Sequence, residues 1–179
     1  DFRLLIEDVS KRYADNTAFR MRQTDGSFAE LSFSEAYRQI RTLAAWLLQA
    51  GIRKGDRVGL LSENRIEWTL SYLAAVYAGI IIVPFDIYTH PENLSSYAAF
   101  AELSGMIYST KYRESALQMI SACPQCSSCI CLDEASPASA QEVSFRQLVR
   151  SPAQSYEQTA LPELAPADAA SIIFTSGTT

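Results

Sequence analysis

Apolar and polar positions alternate along this 179-residue chain in two periods, and the switches between them lay out its elements. Residues 2–14 repeat at helical spacing, with Leu4, Leu5, Val9 and Tyr13 on one predicted face. Two short strands are predicted next, at 17–22 and 28–33, joined across Asp25-Gly26, a hairpin-type turn pair. Ser32 and Glu35 then stand at capping-box spacing. They precede a helical stripe of Ala36, Ile40, Leu43, Ala44, Leu47 and Leu48, which Gly51 is placed to end. Gly55-Asp56 turns the chain into an apolar strand at 57–62.

The alternation repeats further on. A helix over 66–78 leads to a strand at 80–83, and Pro91 opens a helix over 91–103. Strands at 106–109 and 129–132 flank a helix near 112–121. From 133 to 166 the composition shifts to Ala, Ser, Pro, Gln and Glu, with a short apolar helix near 145–149. That stretch reads as a surface connection before a last strand at 170–174. Helices alternating with apolar strands predict an α/β fold, a mainly parallel sheet flanked by helices. In such sheets ligands bind beyond the carboxyl ends of the strands.

Trp68 to Phe85 is eighteen residues without a charge, long enough to raise a transmembrane reading. Gly79, the β-branched run from Ile80 to Val83 and Pro84 instead divide it into a buried helix and a buried strand. The expectation is a soluble, cytoplasmic protein, with room for peripheral membrane association. The chain opens at Asp1, as a trimmed sequence would, and carries no basic–apolar–small signal pattern. With 48% hydrophobic residues it can bury a real core. Its net charge of −5 and its scattered basic residues argue against a nucleic-acid partner.

Four cysteines, Cys123, Cys126, Cys129 and Cys131, fall within nine residues. Two C-x-x-C steps suit a soft metal, but the spacing matches neither a two-knuckle zinc site nor the usual iron–sulfur run. Cys129 and Cys131 also sit two apart in an apolar strand, where cysteine is a common small buried residue. His90 is the single histidine, so no His-dependent triad is complete here; before Pro91 it is expected to face solvent or cap a helix. Trp68, Tyr72 and Tyr77 are expected in the core, Asn64 as a helix cap, and Glu63 with Glu67 as a solvated helix start.

The chain ends on Thr175, Ser176, Gly177, Thr178 and Thr179, directly after an apolar run. Glycine permits positive φ, so successive N–H groups can converge on an anion, and the hydroxyls add uncharged donors. Such a turn can cradle phosphate, though the same residue types also make ordinary surface turns.

Taken in order, these pieces resemble the amino-terminal part of the adenylate-forming (AMP-binding) enzymes, most closely the long-chain fatty acyl-CoA synthetases. Gly51 with Gly55-Asp56-Arg57-Val58 resembles the turn before that family's first core strand. Ala78-Gly79 through Val83-Pro84 resembles its next signature, and Thr175-Ser176-Gly177-Thr178-Thr179 the start of its phosphate-binding loop. Ser62-Glu63-Asn64-Arg65-Ile66-Glu67-Trp68 is similar to a segment typical of the long-chain enzymes.

The resemblance implies that residues 1–179 are part of an AMP-binding domain, cut within the phosphate loop. It implies a two-step ligation: a fatty acid attacks ATP to give acyl-AMP, and CoA then displaces AMP. ATP, Mg²⁺ and CoA would be the cofactors and small-molecule partners. Thr175 to Thr179 would hold the ATP phosphates, while no catalytic residue falls inside the chain. The alternatives are an aryl- or amino-acid-activating relative, or a non-catalytic metal-binding or interaction protein that uses Cys123 to Cys131.

Overall fold

The computed structural model describes residues 1–133, 142–150 and 158–175. Helix α1 (Phe2–Arg12) is followed by an antiparallel hairpin of β1 (Thr17–Arg22) and β2 (Phe28–Ser32). Helix α2 (Phe33–Gln49) then leads to β3 (Arg57–Leu61), α3 (Ile66–Tyr77), β4 (Ile81–Pro84), α4 (Pro91–Ala101) and β5 (Gly105–Tyr108). Helix α5 (Arg113–Ser121), β6 (Ser128–Cys131), β7 (Glu142–Ser144) and α6 (Phe145–Arg150) complete the regular elements. Strands β4-β3-β5-β6-β7 form one sheet in that order, every pairing parallel. The expected α/β architecture is present.

Side-chain alternation divides each strand between two cores. Val58, Leu60, Ile82, Ile107 and Ile130 point to a core shared with α2, α3 and α6. Leu61, Val83, Met106, Tyr108, Cys129 and Cys131 point the other way, to one shared with α4 and α5. At Gly59 the second core presses on the backbone: a Cβ there would meet the Met106 sulfur at 2.5 Å and Leu103 at 2.8 Å. The uncharged stretch from Trp68 to Phe85 is α3 followed by β4. Among the described residues no helix is long and apolar enough to cross a membrane.

Local signals are realised with adjustments. The Ser32 hydroxyl accepts the Glu35 N–H at 3.2 Å and caps α2. The Glu35 carboxylate does not close the box; it binds Arg38 at 2.6 and 2.8 Å and Gln39 at 2.8 Å. Helix α1 packs through Ile6 and the buried Ser10, while Leu4, Leu5 and Tyr13 of the expected face are exposed. Arg3 accounts for that rotation, since its guanidinium donates twice to the Tyr77 carbonyl and once to that of Pro162.

Two further departures concern the end of the chain. The expected surface connection over 133–166 contains β7, whose Glu142 and Ser144 are buried, and the buried Phe145 and Leu148 of α6. Residues 134–141 and 151–157 of that stretch lie outside the described ones. The expected strand at 170–174 makes a single parallel bridge, Ser171 with Ile82, beside β4. The strap leading to it is held by Gln49 on Thr159 and by Lys54 on the Glu163 carbonyl and the Asp168 carboxylate. Gly79, at φ +75°, turns under this strap, where a Cβ would meet Leu164 at 2.7 Å.

Glu142 explains why a strand with a carboxylate can be interior. Both its oxygens accept from Arg113, at 2.6 and 2.7 Å, and Tyr108 donates to it from β5. Burial and that hydrogen bond push the Tyr108 hydroxyl pKa up. Replacing Arg113 by Met is expected to strand the Glu142 carboxylate and to cost about 3–5 kcal/mol, read as a lower urea midpoint.

Candidate functional site

The polar residues that follow β3, β5 and β6 meet at the carboxyl edge of the sheet. Ser62 to Arg65 leave β3, Ser109 and Thr110 leave β5, and Asp133 follows β6. Arg65 is their hub, with its side chain only 13% exposed. Its Nε donates to Glu67 at 2.9 Å, and Nη1 reaches Asp133 at 2.8 Å and Glu63 at 3.5 Å. Glu63 accepts the Ser109 hydroxyl at 2.7 Å, and Asp133 accepts the Thr110 N–H at 2.7 Å. The Ser144 hydroxyl donates to the Asp133 carbonyl at 2.9 Å, drawing in the end of β7. One guanidinium therefore ties together the exits of β3, β5, β6 and β7.

This corrects the reading of Glu63 and Glu67 as a solvated helix start. They are counter-ions of a largely buried cation. Asn64 is exposed and does not cap α3; Arg65 occupies the cap position without a side-chain cap bond. The signal that could have revealed the cluster is the polar residue directly after the apolar runs of β3, β5 and β6. Spacing along the chain does not say that those ends converge.

The electrostatics follow from burial. Desolvation raises the Glu67 carboxyl, but the Arg65 hydrogen bond and charge bring it below the ordinary carboxylate value. For Asp133, desolvation again opposes ionisation, and the Thr110 N–H and Arg65 more than offset it. Burial weakens the Arg65 charge, yet its bonds to Glu67 and Asp133 leave its pKa raised.

Across the same edge, the last described segment reaches the end of β4. Phe174 stacks on Tyr97 at 4.6 Å and on Phe85 at 5.9 Å, with Phe100 edge-on at 6.2 Å. Three aromatic neighbours hold the position from which the exposed Thr175 leaves the sheet. Of the five predicted phosphate-loop residues, Ser176, Gly177, Thr178 and Thr179 lie outside the described residues. A pocket of about 370 Å³ opens instead at the amino end of β4, walled by Phe2, Leu5, Ile80 and Leu164, away from this chemistry.

The remaining candidates have structural surroundings. His90 is exposed beside Glu92, and it makes no side-chain cap bond to α4. Trp68 stacks on Tyr72 at 5.5 Å, and the buried Tyr77 donates to Glu7 at 2.7 Å. Cys123, Cys126, Cys129 and Cys131 are all buried free thiols. They do not assemble as the ligand set that the metal-binding alternative requires: among the described residues no three His, Cys, Asp or Glu side chains converge.

A family model described as AMP-binding enzyme matches residues 6–179. A crotonobetaine/carnitine–CoA ligase of Salmonella agona is 29% identical over 186 residues, covering 100% of this chain and 34% of that protein. The crystal structure of coronafacic acid ligase from Pectobacterium brasiliense superposes with a TM-score of 0.84 at 18% identity, over 97% of this chain and 33% of that one. The anthranilate CoA ligase AuaEII, crystallised with anthranoyl-AMP, gives 0.84 at 20% identity, over 100% and 33%. These two structures share the fold. The chain spans about a third of the length of the relatives it matches.

The Arg65 cluster sets a pH-dependent stability. Glu67 and Asp133 have folded-state pKa values below their unfolded ones, so their contribution is fully present above the unfolded values and is lost as pH falls through the folded ones. Arg65→Ala is expected to destabilise the chain by about 2–4 kcal/mol at pH 7. That difference should stay constant down to about pH 5 and shrink below about pH 4. Urea titrations of both proteins across that range check it.

Proposed function

We infer, since the chain belongs to the AMP-binding enzyme family, that it is the amino-terminal part of an ATP-dependent carboxylate–CoA ligase. The observation that carries this reading is the delivery of Phe174 and Thr175 to the carboxyl edge of a parallel sheet, where ligands of such sheets bind. A carboxylate attacks the α-phosphorus of ATP, forming acyl-AMP and releasing pyrophosphate; the CoA thiol then displaces AMP. The part assigned to Thr175, Ser176, Gly177, Thr178 and Thr179 is to hold the β- and γ-phosphates. Backbone N–H groups and hydroxyls suit that task, because they stabilise the charge of the leaving pyrophosphate without adding a mobile counter-ion. The Arg65 cation is already committed, held by Glu63, Glu67 and Asp133.

The described residues do not fit Mg²⁺. The carboxylates at this edge are bound to Arg65, Ser109 and Thr110, and no set of three metal-ligating side chains converges among the described residues. The Mg²⁺ that accompanies ATP would be held by its phosphates and by residues other than these.

Within this class we propose a fatty acid as the carboxylate. Its support is the similarity of the segment from Ser62 to Trp68 to long-chain acyl-CoA synthetases. Much of that segment works on the scaffold, with Glu63 and Glu67 holding Arg65 and Trp68 stacked on Tyr72, so it bears on substrate choice only through kinship. Aryl and small polar carboxylates, of the kinds named for two of its relatives, are the rivals.

Carboxylate-dependent ATP–pyrophosphate exchange by the full-length parent tests all of this. Exchange that peaks with a fatty acid supports the full reading. A peak with an aryl or small polar acid keeps the ligase and replaces the substrate. Background exchange throughout, with folded enzyme and added Mg²⁺, removes the ligase reading. Gly177→Val in the parent is expected to cut exchange about a hundredfold by blocking the close backbone approach to phosphate. Residues 1–179 alone are expected to form no acyl-AMP, as checked by mass spectrometry of the reaction mixture.

A further inference from the structure

The segment that ends in Thr175 has a thin hold on its neighbour. The Ile82 N–H donates to the Ala170 carbonyl at 3.1 Å, and the Ile172 N–H donates to the Ile82 carbonyl at 3.0 Å. A parallel ladder would take its next donor from residue 84, and Pro84 has no N–H to give. Two bonds specify a register weakly, and a slip of one residue would turn every side chain to the opposite face. Phe174 would then leave Tyr97, and Thr175 would depart from the wrong place.

A clamp at the other end of the segment supplies the missing constraint. Lys54 Nζ donates to the Glu163 carbonyl at 2.8 Å and to the Asp168 carboxylate at 2.7 Å, so one ammonium joins both ends of the turn 163–168. The same Asp168 oxygen accepts the Ala165 N–H at 2.6 Å, and the Asp168 N–H returns a bond to the Ala165 carbonyl at 3.0 Å. The bonds from Lys54 and Ala165 hold the Asp168 carboxyl below its ordinary value, so it is ionised at neutral pH. Lys54 is itself placed against β4. The Gly55 N–H beside it bonds the Gly79 carbonyl at 2.9 Å, and the Ile81 N–H bonds the Asp56 carbonyl at 2.9 Å. The clamp therefore measures the entry of the last segment from the first residue of the strand it must pair with.

We propose that Lys54 and Asp168 are positioning residues for ATP: their ion pair sets the register of the last segment on β4, and with it the point from which the phosphate-binding turn starts. The proposal rests on the assignment of Thr175 to Thr179 to the ATP phosphates. Neither residue is placed to touch ATP. They stand at the amino end of the sheet, and the extended chain from Asp168 to Thr175 advances about 3.3 Å per residue towards the other end. An extended segment carries a shift at one end through to the other, because it has no turn in which to absorb it. At 34% and 30% side-chain exposure the pair adds little to global stability, so its loss reads out in geometry rather than in unfolding.

Steady-state kinetics of the full-length parent test this, using the carboxylate that supports the fastest ATP–pyrophosphate exchange. Lys54→Met and Asp168→Asn should each raise the KM for ATP about fivefold, since apparent affinity falls with the fraction of molecules in the competent register. The KM for the carboxylate and kcat should stay within about twofold of the unsubstituted enzyme. The double substitution should be no worse than either single one, because all three break the same ion pair. Lys54→Arg keeps the cation and should return the KM for ATP to within about twofold. Amide hydrogen–deuterium exchange without ATP gives a second readout: Ile172 should lose protection in Lys54→Met, while the amides of α2 and β3 keep theirs. An unchanged KM for ATP, a fall in kcat alone, a parallel rise in both KM values, additive losses, no rescue by Lys54→Arg, or retained Ile172 protection would each overturn the proposal. Background ATP–pyrophosphate exchange by the unsubstituted parent is a different result: it removes the ligase reading, and this assignment goes with it.

Discussion

Five short parallel strands covered by helices on both sides have no polar face to turn to water, and that constraint orders the rest of the molecule. The central strands are largely apolar, so most polar chemistry is displaced to the strand ends, with the buried Glu142 of β7 as an exception. Because all five run the same way, the exits lie along one edge. Ser62, Ser109 and Asp133 therefore become neighbours although they are far apart in the chain.

Arg65 converts that convergence into a fixed arrangement. A guanidinium this enclosed is costly unless its donors are matched, and a single carboxylate would leave several of them unpaired. Glu63, Glu67 and Asp133 supply the match, and two of the three are themselves held by Ser109 and Thr110. Glu142 solves the mirror-image problem in β7, where a buried anion is matched by Arg113 and Tyr108. Both devices tie the ends of neighbouring strands together.

The path of the chain after α6 obeys a second requirement: the segment ending in Thr175 must arrive beside β4 in the parallel sense. Arg3, Gln49 and Lys54 hold the strap that carries it past the amino end of the sheet. Phe174 then locks between Tyr97 and Phe85, so the phosphate loop proposed to begin at Thr175 starts from a packed position.

Much of this was legible along the chain. Periodicity located every helix and most strands, because burial of one stripe or of alternate positions is a local pattern. The turn at Asp25-Gly26 and the cap at Ser32 are set by backbone chemistry within a few residues. Strand β7 could not be read this way, since Glu142 belongs in a sheet only once Arg113 and Tyr108 are brought to it. Leu4 and Leu5 misled because Arg3 turns α1 through bonds to carbonyls far away in sequence. Glu63, Glu67 and Asp133 looked like surface acids until the fold placed Arg65 among them. The sequence by itself determined the elements and their faces, through interactions a few residues long. Tertiary structure alone decided which polar strand ends meet and which charges are paired, because desolvation and Coulomb attraction act between groups that only folding brings together.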